Sequence, residues 1–126
     1  MLIGRPTKYG AGITLAGDYI DLRDLRETIH YFASDEGPLP PHHGEFVQGL
    51  AYDVRHAYQG DRRVETVDSQ IANSTYFAVD IIWPIFLVQV AMLRAVASYI
   101  PTERTHQANL YRLEACVEHA TSPRFQ

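Results

Sequence analysis

Two stretches of the chain place a carboxylate and a histidine three residues apart: Glu27-Thr28-Ile29-His30 and Asp53-Val54-Arg55-His56. On a helix that spacing brings both side chains to one face, within reach of a shared cation. Two such motifs, with one further acid from each of two other helices (Asp80, and Glu114 or Glu118), form the ligand pattern of a di-iron carboxylate bundle. Helical phase argues against it. At about 100° per residue, Glu27 falls almost opposite the apolar stripe Leu22/Leu25/Ile29, and His56 lies far from Phe46/Leu50/Val54. A bundle metal needs ligands that point inward, so solvated charge is the expectation for Glu27, His30, Asp53 and His56, with no resident metal. His42-His43 beside Glu45 is a second histidine cluster, of the weakly specific kind common in loops.

A second chemistry uses arginine with histidine. Arginine stabilises phosphoryl charge, and histidine moves protons near neutral pH. Arg23 precedes His30 by seven positions, and Arg55 adjoins His56 in the run His56-Ala57-Tyr58-Gln59-Gly60-Asp61. The R-x6-H run and the His-x-Tyr-x-Gly-Asp run each resemble pieces of the HEPN ribonuclease family. That resemblance implies RNA phosphodiester cleavage by Arg23, His30, Arg55 and His56. The chain departs from the family pattern at two points. No arginine lies four to six residues before His56, and Asp24 stands where an asparagine usually follows the arginine.

A third possibility is recognition. Tyr52, Asp53, Arg55 and His56 lie away from the apolar stripe of their helix, with Tyr58 at its flank. Tyrosine and arginine are the residue types enriched in interface hot spots. Arg55 and His56 sit about 110° and 150° from the centre of the buried stripe, so exposure is expected for both. The single cysteine, Cys116, falls on the apolar face of the last helix and reads as core. No G-x-S-x-G or Walker-type glycine pattern occurs, and no cofactor is implied.

The elements that must carry these residues follow from periodicity. Ile13 to Leu22 alternates about Gly17-Asp18, which predicts a hairpin pairing Leu15 with Ile20 and Ile13 with Leu22. Asp21 is the expected N-cap of a first helix with stripe Leu22, Leu25, Ile29 and Phe32, ending near Ser34. A proline-rich loop covers 35–44. A second helix is expected from Glu45 to Tyr58 with stripe Phe46, Leu50, Val54 and Ala57, closed by Gly60. Arg62 to Asp68 suits a short strand or a loop, and 75–83 suits strand or helix. Asp80 would cap a central apolar helix over 84–100, with Ala91 and Ala95 one turn apart for close approach. A last helix from Thr102 carries Leu110, Leu113, Val117 and Ala120, ends at Thr121-Ser122-Pro123, and leaves a frayed tail over Arg124 to Gln126. The fold class is therefore α+β: one domain over 1–126, with an N-terminal hairpin packed on about four helices.

Composition bounds the function. The chain has 126 residues with 15 Asp+Glu against 11 Lys+Arg, a net charge of −4, which disfavours general nucleic-acid binding. One cysteine excludes a disulfide framework and a thiolate zinc site. The apolar run Ile81 to Ile100 contains Gln89 and Arg94, and a central arginine costs roughly 3 kcal/mol in a bilayer, so no membrane span is expected. The N-terminus lacks the apolar core of a signal peptide, and a cytoplasmic protein is expected. The stretches Gly17 to Leu25, Thr28 to Tyr31 and Tyr52 to Arg62 resemble a family of small uncharacterised bacterial proteins, which implies origin and no activity. The expectation is a non-catalytic bacterial binding module, immunity- or antitoxin-like, whose partner is another protein such as a basic toxin. An apolar 84–100 helix also predicts a homodimer that buries this helix or the hairpin edge.

Overall fold

The computed structural model describes residues 1–68 and 73–121. Its elements run β1 (Ile3–Pro6), β2 (Gly12–Gly17), α1 (Tyr19–Phe32), α2 (Pro41–Tyr58), β3 (Arg63–Asp68), β4 (Asn73–Ile82), α3 (Trp83–Ala97) and α4 (Arg104–Ala120). The four strands make one antiparallel sheet in the order β1-β2-β4-β3. The class is α+β with an N-terminal hairpin.

The sheet has two faces of opposite chemistry, because side chains alternate along each strand. Ile13 pairs with Ile81 and Leu15 with Val79. All four are buried in one core with Leu22, Leu25, Ile29, Val47, Leu50, Val54, Phe86, Leu93, Leu110 and Leu113 from the helices. The other face carries Arg5, Thr14, Asp80, Arg63 and Glu65. Its central residues are small, and Thr14, Ala16 and Ala78 are buried there outside the apolar cluster. Thr14 Oγ1 donates to Asp80 Oδ1 at 2.6 Å, Arg63 bridges Asp80 and Glu65, and Arg5 pairs with Glu65.

The hairpin is not the one expected at Gly17-Asp18. It joins β1 to β2, with Ile3 opposite Ala16 and Pro6 opposite Ile13. The apolar alternation of 13–17 is a genuine strand, but Leu22 is the first member of a helical stripe and not a strand partner. Asp18 is the N-cap of α1, its carboxylate accepting from the Asp21 backbone N–H at 2.8 Å, so Asp21 moves inside the first turn. α2 begins four residues earlier than expected, because Pro41 at its first position needs no N–H partner. Its buried stripe is Gly44, Val47, Leu50, Ala51, Val54 and Ala57, and Phe46 is exposed. Gly60 closes α2 with φ of +83°, as its position implied.

β3 is a strand, and 75–82 belongs to β4, so Asp80 caps nothing: it faces Arg63 across the sheet. Helix α3 follows without a gap, with Pro84 in its first turn. It spans 83–97, not 84–100, and touches α1, α2, α4, β2 and β4. It is not central on all sides. Phe86, Gln89, Val90, Leu93 and Val96 are buried, and the opposite face meets solvent. α4 starts at Arg104 behind a reciprocal cap between Glu103 and His106, and packs on β1 so closely that a Cβ on Gly4 would lie 2.5 Å from Cys116 Cβ. The expected stop at Ser122-Pro123 and the tail beyond it lie outside the described residues. No helix among the described residues is long and apolar enough to cross a membrane.

Candidate functional site

α1 and α2 run antiparallel, and this sets the site. Tyr19, the first residue of α1, meets Tyr58, the last of α2, edge to face with ring centroids 5.2 Å apart. One turn into α1, the Arg23 guanidinium lies 5.7 Å from the Tyr19 ring centroid. One turn back on α2, Tyr52 and His56 hold their rings 4.3 Å apart, and the Arg55 guanidinium lies 5.6 Å from the Tyr52 ring. The result is two short rows, Arg23–Tyr19–Tyr58 and Arg55–Tyr52–His56, carried by adjoining helices. Tyr19 and Tyr52 are each about half exposed.

Local sequence explains why His56 is fixed. The positive φ of Gly60 turns the chain back so that the Asp61 N–H donates to the His56 carbonyl at 3.0 Å. That return places Asp61 Oδ2 3.0 Å from His56 Nδ1. The His-x-Tyr-x-Gly-Asp run is thus a helix end whose aspartate engages Nδ1 and orients the histidine. Asp53, one turn back from Ala57, is half-buried, and burial raises its carboxyl above the ordinary range against the opposing pull of Arg62 and His56.

The carboxylate–histidine pairs do not assemble. Glu27 and His30 lie exposed on α1 and Asp53 and His56 sit on α2, and among the described residues no three His, Cys, Asp or Glu side chains stand close enough to hold a metal ion. The arginine–histidine set is partly brought together. His30 is held below its usual pKa by partial burial and then by the charges of Arg26 and Arg55, so Arg55 of α2 acts on it electrostatically. Arg23 and His56 lie on other parts of the face, Arg23 against Tyr19 and His56 against Tyr52 and Asp61.

Of the recognition set, Tyr52, Arg55, His56 and Tyr58 all take part in the ring and cation contacts, whereas Asp53 makes none of them. Tyr19 and Arg23 join them, and sequence reasoning passed Tyr19 over by assigning it to a strand. The usable signal was Asp18 three residues before Asp21, which starts the helix at Tyr19 and puts its ring one turn from Arg23. Tyr31 is another such residue: it stacks on His106 of α4 at 4.2 Å with planes 8° apart, and its hydroxyl donates to the Pro101 carbonyl.

Cys116 is buried and pushed up to about 12 by loss of water, so it is no nucleophile at neutral pH. It lies under a cavity of about 550 Å³ between β1 and α4, floored by Leu2, Gly4 and Cys116 and rimmed by Arg112, Glu118 and His119.

No curated protein and no solved structure matches the chain. A family model described as a domain of unknown function (DUF6904) matches residues 2–124, nearly the whole length. The chain therefore belongs to the DUF6904 family of proteins.

Proposed function

We propose that this chain is a non-catalytic protein-binding module of the bacterial cytoplasm, immunity- or antitoxin-like, and that the α1–α2 face is its working surface. The observation that carries the reading is the pair of arginine–tyrosine rows, Arg23–Tyr19–Tyr58 and Arg55–Tyr52–His56. Exposed tyrosine and arginine supply most of the energy of many interfaces. Here their rotamers are held by one another before any partner arrives, so less side-chain entropy is lost on docking. The chain's charge of −4 attracts a basic protein at long range, which raises the association rate. At contact the face offers arginines to carboxylates and tyrosine rings to apolar or cationic groups.

A pull-down from the native host with wild-type, Arg55→Ala and Tyr52→Ala baits, followed by binding measurements on the purified pair, tests this. The expected result is one protein retained by the wild type and lost from Arg55→Ala and Tyr52→Ala. Equal capture by all three baits refutes the surface.

One observation favours a second reading as a small ribonuclease: the charges of Arg26 and Arg55 both act on His30. Cleavage of a mixed RNA substrate that is lost in His30→Ala would establish it in place of the binding reading.

A further inference from the structure

The outward face of α3 has no role in the α1–α2 site, and its chemistry points to a second copy of the chain. Helix α3 contains one charged residue, Arg94, among fifteen. At about 100° per residue, Pro84, Leu87, Val88, Ala91 and Ala95 fall on a single stripe opposite the buried residues. All five are exposed, with Leu87 at 43% and Val88 at 45%. A solvent-facing helix stripe normally carries charge or amide groups. This one carries none.

We propose that α3 is the core of an isologous homodimer in which two α3 helices pack antiparallel across a two-fold axis near Ala91. Three features select a second copy as the occupant. The first is shape. Bulky Leu87 and Val88 occupy the N-terminal half of the stripe and small Ala91 and Ala95 the C-terminal half. An antiparallel two-fold through Ala91 sets Leu87 of one copy against Ala95 of the other, large against small, twice over. Beside the stripe, a groove of about 320 Å³ between α3 and α4, lined by Leu87, Val90, Ala91, Arg94, Glu114 and Val117, is open to receive a branched side chain.

The second is charge. Two chains of net charge −4 repel each other over most of their surfaces. The α3 stripe is uncharged, so docking there sets no like charges directly against one another. At its rim Arg94 is already neutralised by Glu114 and lies 5.0 Å from the Tyr111 ring. An aromatic and an internally paired arginine are a suitable polar border for an apolar centre.

The third is extent. Ile85, Leu87 and Val88 of α3 are 38%, 43% and 45% exposed, and Tyr111 of α4 and Tyr99 beyond α3 are 62% and 77% exposed. A stable interface takes about 800 Å² per copy, and these side chains extend the α3 stripe in that direction.

Sedimentation equilibrium on the full chain, with Ala91→Glu and a Tyr52→Glu control on the α1–α2 face, tests the assignment. The expected result is a wild-type dimer at micromolar concentration, at least a hundredfold weaker association for Ala91→Glu with an unchanged circular dichroism melt, and a dimeric Tyr52→Glu. Should Ala91→Glu fail to fold, Ala91→Cys serves. It places two thiols across the axis, and oxidation is expected to give a covalent dimer in high yield, Cys116 being buried. A wild type that stays monomeric to about 1 mM overturns the proposal. So does a dimer that Ala91→Glu leaves intact or that Ala91→Cys fails to cross-link. A monomer that floats with neutral phosphatidylcholine vesicles also overturns it, since the stripe would then be a membrane-surface face.

Discussion

Thr14 and Asp80 face each other across β2 and β4 on the sheet side turned away from the helices, and the Thr14 hydroxyl donates to the Asp80 carboxylate at 2.6 Å. Arg63 Nη2 reaches the same carboxylate oxygen at 3.0 Å. Thr14 is buried although no helix covers it, because Arg5, Arg63 and Glu65 lie over the small residues of the central strands. The sheet is therefore roofed by its own charged side chains.

That roof makes the protein acid-sensitive through Asp80. Hydrogen bonds from Arg63, outweighing partial burial, and then from Thr14 hold its carboxyl below the usual 3.8. A carboxylate with a depressed folded-state pKa stabilises the fold fully above its ordinary value, and that contribution is lost as pH falls through the lower folded value. Both Asp80 and Arg63 are about half exposed, so the ion pair itself is worth at most about 1 kcal/mol. Asp80→Ala, which also deprives the buried Thr14 hydroxyl of its acceptor, is expected to cost about 1–3 kcal/mol at pH 7. Between pH 4 and pH 2 its melting temperature should decline less steeply than the wild type's. Parallel melts of the two proteins over that range check both statements.

His30 gives the opposite end of the neutral range. Its pKa is lowered by partial burial and by the charges of Arg26 and Arg55. A histidine depressed in the folded state favours folding above its unfolded pKa of about 6.5, and that stability is lost as pH falls through the folded value. The melting temperature is expected to drop from pH 7.5 to pH 5.5, and His30→Gln to flatten part of the drop. An unaltered slope in His30→Gln would remove His30 from the account.

Two residues on α2 mark its core and its flank: Leu50 is buried and Arg55 half-buried. Leu50 is fully buried, and Leu50→Ala is expected to cost about 2–5 kcal/mol. Arg55 makes no ion pair among the described residues, and its guanidinium rests on Tyr52, so Arg55→Ala should cost under about 1 kcal/mol. Val47→Ala should likewise destabilise more than Phe46→Ala, because Val47 is buried and Phe46 is 37% exposed. Urea titrations of the four variants decide; an Arg55→Ala midpoint as low as that of Leu50→Ala would make Arg55 scaffold and not surface.

The contact of α4 with β1 tolerates no added atom. A Cβ at residue 4 would lie 2.5 Å from the Cβ and 2.9 Å from the Cα of Cys116. Gly4→Ala is expected to cost about 1–3 kcal/mol by prising α4 from the strand. Adding Cys116→Ala should not restore stability, because alanine keeps both atoms. The same burial, with a thiol pushed up to about 12, makes Cys116 inert to Ellman's reagent at pH 8 and reactive only in denaturant, which a simple labelling time course reads.

What the sequence revealed follows the strength of each local signal. The Leu22/Leu25/Ile29/Phe32 stripe, the helix over Leu110 to Ala120 and the closing Gly60 were legible because period and cap agreed. Gly17-Asp18 misled because Gly-Asp suits a hairpin turn and Asp at an N-cap equally well, and the true partner of Ile13 is Ile81, far along the chain. Tyr76 to Ile82 is apolar enough for either state, and it became strand because two other strands lie ready to bond it. At the site, Tyr52 could be read as outward-facing from α2 alone. Arg55 and His56, expected to be exposed, are half-buried because Arg55 rests on the Tyr52 ring and His56 is held against Tyr52 and Asp61. Tyr19 and Arg23 could not be joined to them, since that proximity exists only once α1 and α2 lie antiparallel.

The strand order β1-β2-β4-β3 also sets a timetable. β2 pairs on its inner side only with β4, and Thr14 and Asp80 are 66 positions apart. At about 5–20 residues per second, a ribosome completes the hairpin, α1 and α2 several seconds before β4 exists. During that interval Ile13 and Leu15 have β1 on one side only, and the other edge of β2 is open to any extended segment that passes. The helices can form early from local contacts, but closing the sheet waits on a long loop, the slow step in a topology of this kind. Nascent chains halted before Ile82 should therefore be protease-sensitive throughout β1 and β2, and protected soon after that residue clears the exit tunnel.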